Sequence, residues 1–158
     1  MYDIRKIYRE TFRAIKNDTK LLDLLKVKYK DVDENTFLTN LRTQVIESTD
    51  VDDLLNNYST RLCIHELTSG YSTTVDETSY LAVDIYITQD RNMQTGLLSD
   101  IVKRVIEIFD TKERRKQGLE LLDIGLYGLT YRNRIANPRS RSTGWLKHTL
   151  VFKYTYTK

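Results

Sequence analysis

The chain has 158 residues, 40% of them apolar, and carries 25 Lys and Arg residues against 22 Asp and Glu residues. This length and composition predict one domain with its own hydrophobic core and leave too little chain for two. A net charge of +3 is too small to mark the whole chain as a binder of nucleic acid or of a membrane surface, so the placement of the charges matters more than their sum.

Cysteine content and hydropathy indicate in which compartment the protein is made and whether it has a membrane span. The only cysteine, Cys63, cannot form an internal disulfide, and we interpret it as a small buried strand residue of a protein made in a reducing compartment. No run approaches the roughly 20 apolar residues of a membrane span, and the first residues lack the apolar core of a signal peptide. We therefore expect synthesis in the cytoplasm and no membrane partner.

The first thirty residues are predicted to form two helices. Apolar residues recur at helical spacing from Ile4 to Ile15, and Asp3 is placed to cap the start, which predicts a helix over residues 3–16. A leucine-rich run after Asp18 predicts a short second helix over residues 19–29. Residues 31–60 show no sustained periodicity, and we interpret them as an acidic, partly ordered connection.

The remaining segment, residues 61–158, is predicted to form a sheet and one long helix. Strands are expected at 61–67, 80–88, 118–131 and 145–156, with turn residues at 68–74. The helix is expected at 97–109, where seven apolar side chains share one face. The fold class that follows is a single α+β domain: about four mainly antiparallel strands in the order α-α-β-β-α-β-β, with the helices on one face.

A basic loop, residues 132–144, joins the last two predicted strands and gives the domain a long hairpin arm. It contains no acidic residue, and the acidic 31–53 stretch is a natural counterpart for it on a neighbouring copy of the chain. The candidate interface or nucleic-acid contacts are Arg132, Arg134, Arg139 and Arg141. The candidate acidic counterparts are Asp31, Asp33, Glu34, Asp50, Asp52 and Asp53.

Catalytic, cofactor and metal motifs are not found in the sequence. His65 and His148 each fall inside a predicted strand, and neither belongs to a metal-binding pattern; the chain also contains no phosphate-binding glycine loop. Cys63 and His65 share a strand face but have no identifiable third orienting group. We therefore predict a protein that is not an enzyme, with no cofactor, no metal and no small-molecule substrate.

The succession of elements resembles the tail-terminator and tail-completion proteins of tailed bacteriophages, together with the head-to-tail joining proteins of the neck. The similarity lies in an opening helix with DIRKI at 3–7, a strand with AVDIYI at 82–87, a helix at 98–109 and a closing hairpin with LVFKY at 150–154. The resemblance implies a virion protein, made in the bacterial host, that forms a hexameric ring. Such a ring caps the tail tube, docks the head through tail-tube and neck proteins, and lets DNA pass through its lumen.

Four alternatives remain open from the sequence. The chain could be a neck or head-tail connector protein, or another tail-associated subunit. A small nucleic-acid-binding module would use the arginine-rich loop and bind in a salt-dependent way. An enzyme on an α+β scaffold would depend on His65, His148 or Cys63, and a regulatory adaptor would bind one partner without self-assembly.

Overall fold

The computed structural model describes residues 3–47, 60–73, 75–88, 96–137 and 145–157, and of residues 68–72 and 137 it describes the backbone alone. The helices are α1 (Ile4–Lys16), α2 (Thr19–Leu25), α3 (Glu34–Gln44), α4 (Leu97–Phe109) and α5 (Thr111–Lys116). The strands are β1 (Val45–Ile46), β2 (Arg61–Ser72), β3 (Asp76–Thr88), β4 (Thr130–Asn137) and β5 (Trp145–Thr157). Among these residues, no helix is long and apolar enough to cross a membrane.

The described strands form one sheet in the order β1-β2-β3-β5-β4. The pairs β2–β3, β3–β5 and β5–β4 are antiparallel, as predicted, and β1 pairs in parallel with β2. The prediction of four strands was therefore wrong by one. The fifth strand is only two residues long, and such a short apolar pair carries no periodicity that could reveal it.

One face of the sheet and the helices share a single core. On β3 the side chains of Leu81, Val83 and Ile85 are buried, and because alternate strand residues face the same side, they define the face that the helices cover. Leu62, Leu150 and Phe152 extend this face across β2 and β5. Burying each such side chain is worth roughly 1.5–3 kcal/mol, so this face fixes the helices on the sheet. The predicted α+β class is confirmed.

The helical predictions hold best where the apolar face is broad. α1 and α4 lie where they were expected, and Asp3 caps α1 by accepting a hydrogen bond from the backbone N–H of Arg5 at 3.0 Å. α2 ends earlier than predicted because Lys26 adopts a left-handed conformation with φ of 57°. Within the acidic connection predicted over residues 31–60, residues 34–46 form α3 and β1, and Asp33 caps α3.

The predicted strand over residues 118–131 was wrong in most of its length. β4 begins only at Thr130 and runs to Asn137, into the segment expected to be the arm loop. Residues 118–129 instead form a looped segment in which Gly118, Gly125 and Gly128 have positive φ. These backbone conformations are incompatible with an extended strand, and glycine reaches them without strain.

Candidate functional site

The basic surface predicted from the sequence is an edge strand. β4 pairs with β5 on one side, and no described strand pairs with its other side. Arg132 and Arg134 are both exposed, and the register shifts between Tyr131 and Asn133, so that Arg132 sits at a bulge. Bulges and charged side chains are common features of edge strands, where they oppose indiscriminate pairing with other chains. The strand therefore presents positive charge along an edge that no described strand covers.

Arg134 is held in place by a histidine on the neighbouring strand. Its Nε donates a hydrogen bond to Nδ1 of His148 on β5 at 2.7 Å. Burial lowers the pKa of His148, and the positive charge of Arg134 lowers it further. Both effects favour the neutral imidazole, whose unprotonated nitrogen can accept this hydrogen bond.

Of the predicted acidic counterparts, the structure describes three, and they lie around the start of α3. Asp33 accepts a hydrogen bond from the backbone N–H of Thr36 at 2.6 Å, and hydrogen bonds from the side chain and backbone of Thr36 lower the pKa of Asp33. Glu34 forms an exposed ion pair with Lys16 at 3.3 Å. Asp31 is exposed and has a positive φ of 59°. Part of this acidic segment therefore has a local structural role.

Among the described residues, no hydrogen bond or ion pair joins the predicted basic groups to the predicted acidic groups. β4 is one edge of the described sheet, and α3 leads directly into β1, the opposite edge. Four strand spacings separate the two edges, a distance of about 19 Å at roughly 4.8 Å per strand. The other predicted contacts lie outside the described residues: Arg139, Arg141, Asp50, Asp52 and Asp53.

The sheet face turned away from the core of helices carries a buried carboxylate that the sequence analysis missed. Asp84 on β3 is 3% exposed. Its Oδ1 accepts a hydrogen bond from Oγ1 of Thr149 at 2.6 Å, and its Oδ2 lies 2.9 Å from Nε2 of His65 and 3.8 Å from Nζ of Lys147. These partners come from the strands on both sides of β3, so the carboxylate ties three adjacent strands together.

The Asp84 cluster, formed by Asp84 with Thr149, His65 and Lys147, is a buried carboxylate whose oxygens have polar partners. Cys63 is fully buried and lies directly across from Asp84 in the β2–β3 register. Tyr86 flanks the same site, and burial raises its pKa to about 12, so that its hydroxyl stays protonated at neutral pH. Among the described residues, no group of three or more potential ligands could hold a metal ion. The arrangement supports a structural role.

One sequence signal could have revealed part of this cluster. Asp84 and Thr149 both occupy the polar side of strands with clean alternation, and the register places them opposite each other. A lone acidic residue in the middle of an otherwise apolar strand calls for a partner because an unpaired buried carboxylate is costly. The partner's identity depends on the register between β3 and β5, which the sequence does not specify.

Comparison with known proteins gives a match of fold. No family model matches the chain, and no curated protein matches it. A chain in the solved structure titled "Virion of native gene transfer agent (GTA) particle" superimposes with a TM-score of 0.56.

The two chains share one fold. The match covers 94% of this chain and 92% of the other, so it extends over nearly the whole of both. Sequence identity is 13%, too low for residue roles to be compared between them. Similar folds serve different functions, so the match by itself assigns none.

Proposed function

We propose that this chain is a non-enzymatic structural protein of a phage-like virion, and that it is a tail-terminator or tail-completion subunit. In this role copies of the chain close into a ring, of six subunits in the hexameric form, at the junction of tail and neck. The ring caps the tail tube and offers a surface to the head. The almost complete fold match to a chain of a virion particle supports the virion setting.

The observation that carries the assembly model is the placement of positive and negative charges on separate elements of the fold. The exposed arginines Arg132 and Arg134 lie on β4, whereas the acidic start of α3 belongs to an element that ends at the opposite edge. Two complementary patches on different elements of a subunit suit a head-to-tail contact, in which each copy binds the next through unlike surfaces. When the rotation between neighbours closes, the product is a ring with a lumen of fixed width.

Passage of DNA limits how many arginines can face such a lumen. Each phosphate contact adds a salt-sensitive attraction, and many such contacts would slow a moving duplex. The proposed role of Arg132 and Arg134 is therefore at the contact between subunits. In a neck protein the same ring would bind connector proteins instead of the tail tube, and binding to purified tail tubes distinguishes the two positions.

Charge reversal tests the contact. We expect Arg132→Glu with Arg134→Glu to weaken self-association in sedimentation velocity, and Asp31→Lys with Glu34→Lys to weaken it as well. Combining all four changes in one chain restores complementarity and should restore assembly. Lys20→Glu with Lys103→Glu is the matched control, because it changes the net charge equally at exposed helical positions. Assembly that is unchanged in both reversals would refute the proposed contact.

A further inference from the structure

Residues 118–129, between α5 and β4, concentrate apolar side chains on the surface. Six large hydrophobic side chains are exposed among the described residues, and four of them lie in this segment. They are Leu119, Leu121, Leu126 and Tyr127, with exposures of 37%, 41%, 49% and 70%. Single exposed apolar residues are ordinary on protein surfaces, whereas a cluster marks a site of interaction.

The segment is firmly anchored. Leu122, Ile124 and Leu129 are buried in the core between the exposed residues. The backbone N–H of Leu126 donates to the carbonyl oxygen of Thr155 on β5 at 2.8 Å. This bond attaches the segment to the part of β5 that extends past its pairing with β4.

A buried arginine fixes the other end of the segment. Nε of Arg114 donates to the carbonyl oxygen of Glu120 at 2.6 Å, and its Nη1 donates to the carbonyl oxygen of Ile108 at 2.7 Å. The exposed side chains therefore project from a backbone that is already ordered. A preorganised surface loses little conformational entropy when it binds a partner.

Positive charge borders this apolar surface. Leu121, Leu126 and Tyr127 line one groove together with Lys112 and Arg115 of α5. Both cations are exposed, and neither forms an ion pair with a carboxylate of the described residues. The groove thus combines large apolar side chains with two cations that are available to a ligand. Its electrostatic complement is a segment that carries carboxylates beside large apolar side chains.

We propose that this groove, defined by Lys112, Arg115, Leu121, Leu126 and Tyr127, is a docking site for an acidic segment with large apolar side chains on a different protein. Among the described acidic residues of this chain, those at the start of α3 suit it less, because Asp33 caps α3 and Glu34 is paired with Lys16. The groove adjoins Thr130 at the start of β4, and Arg132 and Arg134 follow two and four residues along the strand, about 7 and 13 Å away at roughly 3.3 Å per residue. The inference rests on the groove alone and does not require a ring.

Selection from a displayed library of short random peptides tests this inference on the whole chain. We expect the enriched peptides to combine Asp or Glu with Leu, Phe or Trp. Binding should fall at least about tenfold on the apolar variant Leu126→Ser with Tyr127→Ser and on the charge variant Lys112→Glu with Arg115→Glu, since truncating a central anchor typically has such an effect.

Two matched controls accompany these variants. Val75→Ser changes an exposed apolar side chain elsewhere, and Lys103→Glu changes an exposed cation on α4; both should leave peptide binding unchanged. All variants alter exposed side chains, and circular dichroism checks that each remains folded. Failure to enrich any peptide, enrichment without acidic residues, or equal binding to wild type and groove variants would overturn the proposal. Self-association that both groove variants abolish would also overturn it, by making a second copy the occupant.

Discussion

Arg104 and Asp18 lie 86 positions apart in the chain and form a partly buried, two-pronged ion pair. Nε and Nη2 of Arg104 donate to the two carboxylate oxygens of Asp18 at 2.9 and 2.5 Å, and Nη1 donates to Glu107 and Gln117. Asp18 also caps α2. Hydrogen bonds from Arg104 to Asp18 are the largest cause that raises the pKa of Arg104, which keeps the guanidinium charged. The pair therefore joins α2, α4 and the end of α5.

Removal of either partner should destabilise the fold strongly. We expect Arg104→Ala to lower the free energy of unfolding by roughly 3 kcal/mol, because it leaves the carboxylate of Asp18 without its cation. Asp18→Ala should cost less, about 2 kcal/mol, because Arg104 keeps its hydrogen bonds to Glu107 and Gln117. The double variant should cost clearly less than the sum of the single variants. Urea denaturation of the four chains measures this coupling. Lys103→Ala, at an exposed position on the same helix, should change stability by less than about 0.5 kcal/mol, and an equal loss there would contradict the assignment.

Glycine substitutions should separate backbone strain from steric conflict in residues 118–129. Gly118 and Gly125 both have positive φ, but a Cβ at Gly125 would lie 2.2 Å from the carbonyl oxygen of Thr155, and one at Gly118 would meet nothing within 4 Å. Gly118→Ala should therefore cost about 1 kcal/mol from strain alone, and Gly125→Ala should cost more. Thermal unfolding of both variants tests this order. Equal losses of stability would mean that the backbone near Thr155 moves to accommodate the added Cβ, and would contradict this order.

The pair of Arg134 and His148 should make stability depend on pH. The pKa of His148 is lowered in the folded protein from the ordinary value of 6.5, so the unfolded chain takes up the proton first as pH falls. The contribution of this site is thus fully present above about pH 6.5 and is lost progressively below it. His148→Asn keeps an acceptor near Nδ1 without a titrating group. The loss of stability between neutral and mildly acidic pH should be smaller in His148→Asn than in wild type, and an identical loss would exclude His148 as the cause.

Removing the carboxylate of the Asp84 cluster should cost more stability than removing one of its hydrogen-bond donors. Asp84→Ala removes the acceptor shared by Thr149 and His65, and we expect it to cost roughly 3 kcal/mol. Thr149→Val removes one donor and keeps the side-chain volume, so it should cost about 1 kcal/mol. Chemical denaturation measures both changes. If Thr149→Val cost as much as Asp84→Ala, the hydroxyl and not the carboxylate would be the centre of the cluster.

The sequence predicted the elements whose periodicity is long and unbroken. α4 and β5 have broad or strictly alternating apolar faces, and both lie where that pattern placed them. α3 was missed because it buries little beyond Leu41 and Gln44, so its sequence carries almost no helical periodicity. The 118–131 segment misled because Leu122 and Ile124 alternate like strand residues, while Gly125 and Gly128 turn the backbone away from an extended path.

The candidate site could be predicted in its parts but not in its arrangement. The exposed charges of Arg132 and Arg134 follow from the arginine-rich segment, and the structure moves both from a loop onto β4. Their distance from the acidic residues depends on sheet order, which local sequence does not encode. The pairing of Arg134 with His148 and the contacts of Asp84 likewise require the strand register. Sheet order and strand register depend on contacts between residues that are distant in sequence, and no local pattern specifies them.

Native mass spectrometry of the whole chain over a range of concentrations tests whether the subunits form a ring. We expect one discrete closed oligomer, of six subunits in the hexameric form, whose share of the protein rises with concentration and which appears as a ring in negative-stain images. We also expect Arg132→Glu with Arg134→Glu to return the chain to monomer. A monomer at every concentration, or open chains of variable length, would contradict ring formation.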